Sequence, residues 1–199
     1  PLKINLGNYV EAAALGADTI VITGGVGPCR FGYYGELERQ ILNEAGYNYD
    51  VVILEAPDGR LKGLLERIRY LAGSRNSWSK IIRAMIFAYK KSIALDQVED
   101  LIHKYRPRAK HPALADLLFD KAKQQLLEAG TEKRIKEIIS WVRQEICHHS
   151  QSEREPLKVA IIGEIYTILE PFTNADVERY LGHLGVEVDR SIYLSGWVG

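Results

Sequence analysis

The feature that most constrains the fold is a short β-branched run followed at once by a glycine-rich loop and a helix. Residues 18–23 (DTIVIT) form such a run, and GGVGPCRFG at 24–32 follows it. Residues 34–45 then have helical spacing, and 49–55 (YDVVILE) form a second apolar run that ends before a Pro-Asp-Gly turn. Continuous apolar runs of this kind are typical of buried parallel strands, and their alternation with helices predicts a layered α/β domain.

The middle of the chain has a different, wholly helical pattern. Between Leu61 and His149 apolar residues recur at helical spacing, with Asp96 and Thr131 as candidate N-caps. After a polar linker at 150–156, the α/β pattern returns with two apolar runs on either side of a helix. The predicted helices of the middle are 61–71, 77–94, 97–105, 112–129 and 131–149, and the later elements are a strand at 157–162, a helix at 174–184 and a strand at 186–193.

These patterns predict the α/β class, with parallel sheet segments at both ends and a helical block between them. The expected organisation is an α/β segment with the cysteine loop at 1–60, a helical insertion at 61–149 and a second α/β segment at 157–199. The chain begins at Pro1 without Met and ends directly after a strand-like run, so we expect it to be a piece of a longer protein.

Composition excludes several classes of protein. The 26 Lys and Arg residues are balanced by 26 Asp and Glu residues, so the basic excess of a typical nucleic-acid-binding domain is absent. No apolar run approaches the roughly 18–20 residues that a membrane-spanning helix needs. With 2 cysteines far apart in sequence, a disulfide framework is not expected, and a reducing cytoplasm is the predicted location.

Cys29 is the residue that most suggests chemistry. It stands in Gly-Pro-Cys-Arg just after the first predicted strand, with Arg30 beside it. A neighbouring guanidinium favours the thiolate, which is the form that binds metal or attacks carbon. One thiolate cannot hold an iron–sulfur cluster, because such clusters typically have four cysteine ligands. The alternative is that Cys29 is a small buried side chain.

Two strand-to-helix loops with glycines are candidate ligand sites, at 23–32 and 162–166. In open parallel sheets, ligands bind beyond the carboxyl ends of the strands, and exposed backbone N–H groups there hold anions or cluster sulfides. The alternative is that both loops are simply tight turns. The residues predicted to contact a cofactor are Gly24, Gly25, Gly27, Arg30, Tyr33 and Glu164.

Other known motifs are absent from the sequence. It contains no GxxxxGK[ST], no GxGxxG and no GxSxG, so P-loop, dinucleotide-binding and hydrolase signatures are all missing. Cys147-His148-His149 resembles a metal tract, but adjacent residues on a helix do not share a face. We therefore interpret that tract as the end of a helix.

Three segments together resemble the (R)-2-hydroxyacyl-CoA dehydratase superfamily. They are PLK followed by LGN at the start, GADTIVITGGVGPCRFGYYGELERQIL at 16–42 and GEIYTILEPFTNADVERYLGHLGVEV at 163–188. The likeness is greatest to the uncharacterised branch described as CoA-substrate-specific enzyme activases or nucleotide-binding proteins. It covers both α/β stretches, and the helical middle adds little to it.

The resemblance implies flavodoxin-like α/β domains with a helical insertion in an oxygen-sensitive cytoplasmic protein. It also implies a [4Fe–4S]-type cluster held by cysteines from loops at strand ends, with Cys29 as one thiolate ligand and Arg30 offsetting charge. Further ligand cysteines are implied just before Pro1 and beyond Gly199, so this chain alone is not expected to assemble the cluster.

The partners implied by the resemblance are an ATP-dependent activase or reductase as electron donor and an acyl-CoA or another small molecule as substrate. Nucleic acid and membrane are not expected partners, and a homodimer stays open. The chain would then be the electron-accepting iron–sulfur component of a 2-hydroxyacyl-CoA dehydratase, which is a lyase, or the corresponding component of a low-potential reductase. Two alternatives stay open: a nucleotide- or CoA-binding module in which Cys29 is incidental, and a structural or regulatory piece without activity.

Overall fold

The computed structural model describes residues 2–24, 30–55, 61–149 and 155–198. The chain divides into two compact units, 1–81 and 82–199, and each is described by itself. Both units are mixed α/β, and each contains a parallel two-stranded sheet. The predicted α/β class, with parallel strands towards both ends of the chain and helices between them, is therefore confirmed.

The first unit is built on a short parallel sheet with helices packed against it. Its elements are α1 (Leu2–Ala14), β1 (Thr19–Thr23), a 3-10 turn (Arg30–Tyr33), α2 (Tyr34–Glu44), β2 (Asp50–Leu54) and α3 (Leu61–Ala72). β1 and β2 pair in parallel, with Thr19 opposite Asp50 and Thr23 opposite Leu54. Both strands predicted for this stretch are thus present, each within one or two residues of its predicted ends.

One face of β1 forms the core of the first unit. Ile20 and Ile22 are buried, whereas the intervening Val21 is 51% exposed. α2 packs closely on the buried face because position 35 is glycine. A Cβ added to Gly35 would lie 2.9 Å from Ile53 Cγ1 and 3.0 Å from Ile22 Cγ2, so a larger residue would push the helix away from the sheet.

α1 is tied to α2 by a buried carboxylate. Glu38 of α2 is 1% exposed. It accepts hydrogen bonds from Asn5 Nδ2 at 3.0 Å and from the Tyr9 hydroxyl at 3.2 Å. Burial raises the pKa of Glu38 more than these two hydrogen bonds lower it.

The second unit combines a helical core with the other sheet. Its elements are α4 (Trp78–Tyr105, which begins before the unit boundary), a 3-10 turn (Arg106–Arg108), α5 (Pro112–Glu128), α6 (Glu132–His149), β3 (Leu157–Ile161), α7 (Ile165–Leu169), α8 (Val177–His183), β4 (Val186–Arg190) and α9 (Leu194–Val198). An apolar core cluster lies among α4, α5 and α6 and includes the fully buried Val98, Ala115, Ala122 and Val142. β3 and β4 pair in parallel, from Leu157 opposite Val186 to Ile161 opposite Arg190.

Two local predictions for the helical middle have opposite outcomes. The side chain of Thr131 accepts a hydrogen bond from the backbone N–H of Arg134 at 3.2 Å, so the predicted N-cap of α6 is confirmed. The predicted break between residues 94 and 97 is wrong, because α4 runs through it without interruption. Asp96 does not cap a helix start there; instead its Oδ2 accepts a hydrogen bond from the backbone N–H of Ser195 at 2.8 Å.

Within the described ranges, no helix combines the length and apolarity needed to cross a membrane.

Candidate functional site

The first candidate site is the carboxyl edge of the β1–β2 sheet. Because the strands are parallel, the segments that follow Thr23 and Leu54 leave the sheet at the same edge. Gly24 stands at this edge, and its backbone N–H donates to the carbonyl of Leu54 at 3.2 Å. This N–H is therefore used within the sheet rather than by a ligand.

Glycine is required at position 24 by a close approach of the two strand ends. A Cβ there would lie 2.6 Å from Glu55 Oε2 and 2.7 Å from Ile53 Cγ2. Glu55 itself lies beside Arg67, with 3.7 Å between Glu55 Oε1 and Arg67 Nη1. This carboxylate–guanidinium pair was not predicted from the sequence. The signal that could have indicated it is the position of Glu55 directly after an apolar strand.

The central part of the predicted cysteine loop lies outside the described residues. Gly25, Gly27 and Cys29 all fall there, so their predicted roles stay predictions. The description resumes with the 3-10 turn that begins at Arg30 and leads directly into α2. Tyr33, at the end of that turn, is 61% exposed and therefore accessible to a ligand.

Glu164 lies at the end of the other sheet, in the second unit. It is the N-cap of α7, and its Oε2 accepts hydrogen bonds from the backbone N–H of Thr167 at 3.0 Å and from the Thr167 hydroxyl at 3.2 Å. Burial raises the pKa of Glu164, but hydrogen bonds from Thr167 and Tyr166 outweigh it, so the pKa is lowered. Its observed role is therefore to hold the start of a helix.

The second unit contains a buried polar network that the sequence analysis did not predict. Asp116 of α5 accepts hydrogen bonds from Arg106 Nε at 2.9 Å and Arg179 Nε at 2.9 Å, and lies 2.7 Å from His183 Nε2. Burial raises the pKa of Asp116, but the His183 hydrogen bond and the two arginine charges outweigh it, so the pKa is lowered. Arg106 is only 5% exposed, so Asp116 supplies the counter-charge for a buried cation.

A second cluster lies around Arg190, the last residue of β4. Its guanidinium contacts Oε2 of Glu99 and also Oε2 of Glu178, the latter at 3.3 Å. His103 Nε2 is 3.3 Å from the same Glu178 oxygen. Three buried polar atoms of this cluster have no hydrogen-bond partner: His103 Nδ1, Glu178 Oε1 and Arg190 Nε.

A cavity of about 190 Å³ borders both clusters and is lined in part by His103, Arg106, Asp116 and Glu178. Glu99 and His103 are four residues apart on α4 and therefore share a face of that helix. This Glu/His spacing is visible in the sequence, but it was not among the predicted sites. Glu178 and Arg190 come from much later in the chain, and only the tertiary fold brings them to α4.

Comparison with known protein families, with curated proteins and with solved structures gives no match for this chain.

Proposed function

We propose that this chain is part of the iron–sulfur, electron-accepting component of a 2-hydroxyacyl-CoA dehydratase-like or low-potential reductase system, with Cys29 as a cluster ligand. The observation that supports the proposal is the position of the described residues on either side of Cys29. β1 ends at Thr23 beside the matching end of β2, and the described chain resumes at Arg30 in the turn that leads into α2. In open parallel α/β sheets, this edge is where cofactors and substrates bind.

The residues of this chain account for one thiolate of such a cluster, not for the whole donor set. Four cysteine ligands are typical. Cys147 is exposed on α6 in the other unit and matches no ligand of the family that the sequence resembles. The remaining ligands would come from sequence next to Pro1 and beyond Gly199, as the resemblance implies. A flavodoxin-like arrangement of the complete domains belongs to the same proposal.

One cation available to offset the charge of an anionic cofactor is Arg30, which follows Cys29 directly in the sequence. Arg67, at the same sheet edge, is already paired with Glu55. A thiolate-bound cluster supplies one-electron transfer when it is present, and a nearby cation offsets its negative charge. Electrons would come from an ATP-dependent partner and pass to an acyl-CoA or another small molecule.

Anaerobic reconstitution with iron and sulfide tests the proposal, with protein that includes the sequence flanking this chain. Three proteins are compared: wild type, Cys29→Ser and Cys147→Ser. We expect wild type and Cys147→Ser to show the same cluster absorption and iron content, and Cys29→Ser to lose both. An unchanged spectrum in Cys29→Ser would remove Cys29 from the site.

The same preparations distinguish a nucleotide- or CoA-binding module. Ligand binding to the native state raises the unfolding temperature in a concentration-dependent way. The binding-module function would replace the iron–sulfur proposal if ATP, ADP or CoA stabilised the iron-free protein in a saturable way and equally in Cys29→Ser, while wild type assembled no cluster.

A further inference from the structure

We propose that Glu99, His103 and Glu178 bind a divalent first-row transition-metal ion in the second unit. One potential ligand atom from each of the three residues lies within 4.8 Å of those of the other two. Glu99 and His103 come from one face of α4, and Glu178 comes from α8. The site contains no thiolate and is independent of the iron–sulfur proposal.

The unpartnered atoms of the cluster provide a second, separate indication of a ligand. His103 is 3% exposed, yet its Nδ1 has no hydrogen-bond partner, and neither does the buried Oε1 of Glu178. Buried polar atoms in native proteins are nearly always paired, and a bound water or ion is one explanation for an unpaired one. One nitrogen of a neutral imidazole carries the proton and the other carries the lone pair that binds metal, and Glu178 Oε1 provides a further free acceptor.

Arg190 positions the carboxylates without using all of their oxygens. Its guanidinium contacts the Oε2 atom of Glu99 and the Oε2 atom of Glu178, which leaves Glu178 Oε1 unpaired. Two carboxylates and one guanidinium leave one negative charge, and an imidazole that binds metal adds none. A divalent ion that carries one hydroxide would neutralise this charge, and bound metals readily ionise their water.

The ligand set indicates which metals fit. One imidazole nitrogen and two carboxylates suit Zn²⁺, Fe²⁺ or Mn²⁺, whereas Mg²⁺ and Ca²⁺ prefer oxygen ligands alone. Three protein ligands leave a coordination position open, as in catalytic rather than structural zinc sites. The cavity of about 190 Å³ borders all three residues and gives a water or a small oxygen-bearing molecule access to that position.

Calorimetric titration of the chelator-treated 199-residue chain with Zn²⁺ or Mn²⁺ tests this site, with Mg²⁺ for comparison. The variants are His103→Gln, Glu178→Gln and, as a matched control, Cys147→Ser combined with His148→Ala. The control removes the exposed thiol and imidazole at the end of α6, where metal could bind adventitiously. We expect one ion per chain in wild type and in the control. Affinity should fall in both site variants by more than the roughly 10–100-fold that loss of a supporting residue typically costs.

The visible spectrum of Co²⁺ bound to wild type provides a readout that does not depend on whether the buried His103→Gln variant folds. Nitrogen and oxygen ligands give d–d bands without a thiolate charge-transfer band, and we expect only the former. The proposal would be overturned by a thiolate band or by the absence of saturable binding to wild type. It would equally be overturned by loss of binding in the control or by undiminished binding in a folded Glu178→Gln protein. No sulfide is added, and the same d–d bands in a Cys29→Ser/Cys147→Ser variant show that neither of the 2 cysteines contributes, so these results do not depend on cluster assembly.

Discussion

Substituting Gly182 by Ala should destabilise the second unit through a specific collision with Arg106. A Cβ at position 182 would lie 2.5 Å from Arg106 Cδ, where ordinary van der Waals contact begins at 3.4 Å, so Arg106 has to move by the difference of about 0.9 Å. Arg106 cannot move freely, because it is 5% exposed and its Nε donates to Asp116 Oδ1 at 2.9 Å. A displacement of that size lengthens this hydrogen bond past its useful range.

The expected loss of stability follows from two opposing contributions. A hydrogen bond to a charged group is worth about 1.5–3 kcal/mol. Replacing Gly by Ala within a helix returns about 1 kcal/mol, because it reduces the entropy of the unfolded chain. The free energy of unfolding should therefore fall by about 0.5–2 kcal/mol, which lowers the urea midpoint by several tenths of a molar.

Urea unfolding followed by circular dichroism, in a double-mutant cycle, checks the cause as well as the magnitude. The four proteins are wild type, Gly182→Ala, Arg106→Ala and the double variant. In the Arg106→Ala background the obstructing Cδ and Cγ atoms are gone, so Gly182→Ala should be neutral or stabilising by up to about 1 kcal/mol. An equal cost of Gly182→Ala in both backgrounds would refute the assignment of the collision to Arg106.

Two further perturbations follow from the structure. Gly35→Ala places a methyl group 2.9 Å from an Ile53 atom and should lower the free energy of unfolding by about 1–3 kcal/mol. Gly7→Ala on α1 meets nothing within 4 Å and should raise the free energy of unfolding by about 0.5–1 kcal/mol. Similar unfolding temperatures for the two variants would contradict the packing argument. The pKa of Asp116 is lowered in the folded state, so its ionised form contributes stability above the ordinary value of 3.8, and this contribution is lost as the pH falls through the lowered value. Asp116→Asn should therefore be less stable than wild type at about pH 7 and should lose less stability on acidification from about pH 5 to pH 3. Parallel curves of stability against pH for the two proteins would show that Asp116 is not responsible for the acid-dependent loss of stability.

The strands were predictable from sequence because their signals are local. Residues 18–23 and 49–55 are short apolar runs bounded by turn-forming residues, and the observed β1 and β2 fall inside them. The continuity of α4 was not predicted, because an aspartate after an apolar stretch has the same pattern as a helix start. No glycine or proline interrupts the chain near Asp96, and its side chain bonds to Ser195, far away in sequence.

The candidate sites differ in how much sequence could reveal. The sequence predicted that Cys29 follows a strand, and the described residues before and after it, at the end of β1 and the start of the turn at Arg30, agree with that prediction. The role of the thiol stays a prediction. The Glu99, His103 and Glu178 group was only half visible in the sequence, as Glu99 and His103 at helical spacing. Glu178 and Arg190 contact His103 and Glu99 from α8 and β4, far along the chain, and no local pattern encodes these contacts.

The helical core of the second unit has a consequence for the order in which the protein folds. α5 and α6 are separated only by residues 129–131, so the contacts nearest this connection join residues that are close along the chain. Contacts at low sequence separation form fast, whereas each residue of β3 pairs with a residue of β4 that lies 29 positions later, and Arg190 pairs with Glu99 across 91 positions. We therefore expect the ion pair between Arg190 and Glu99 to form late in folding and to join the sheet to helices that have already assembled.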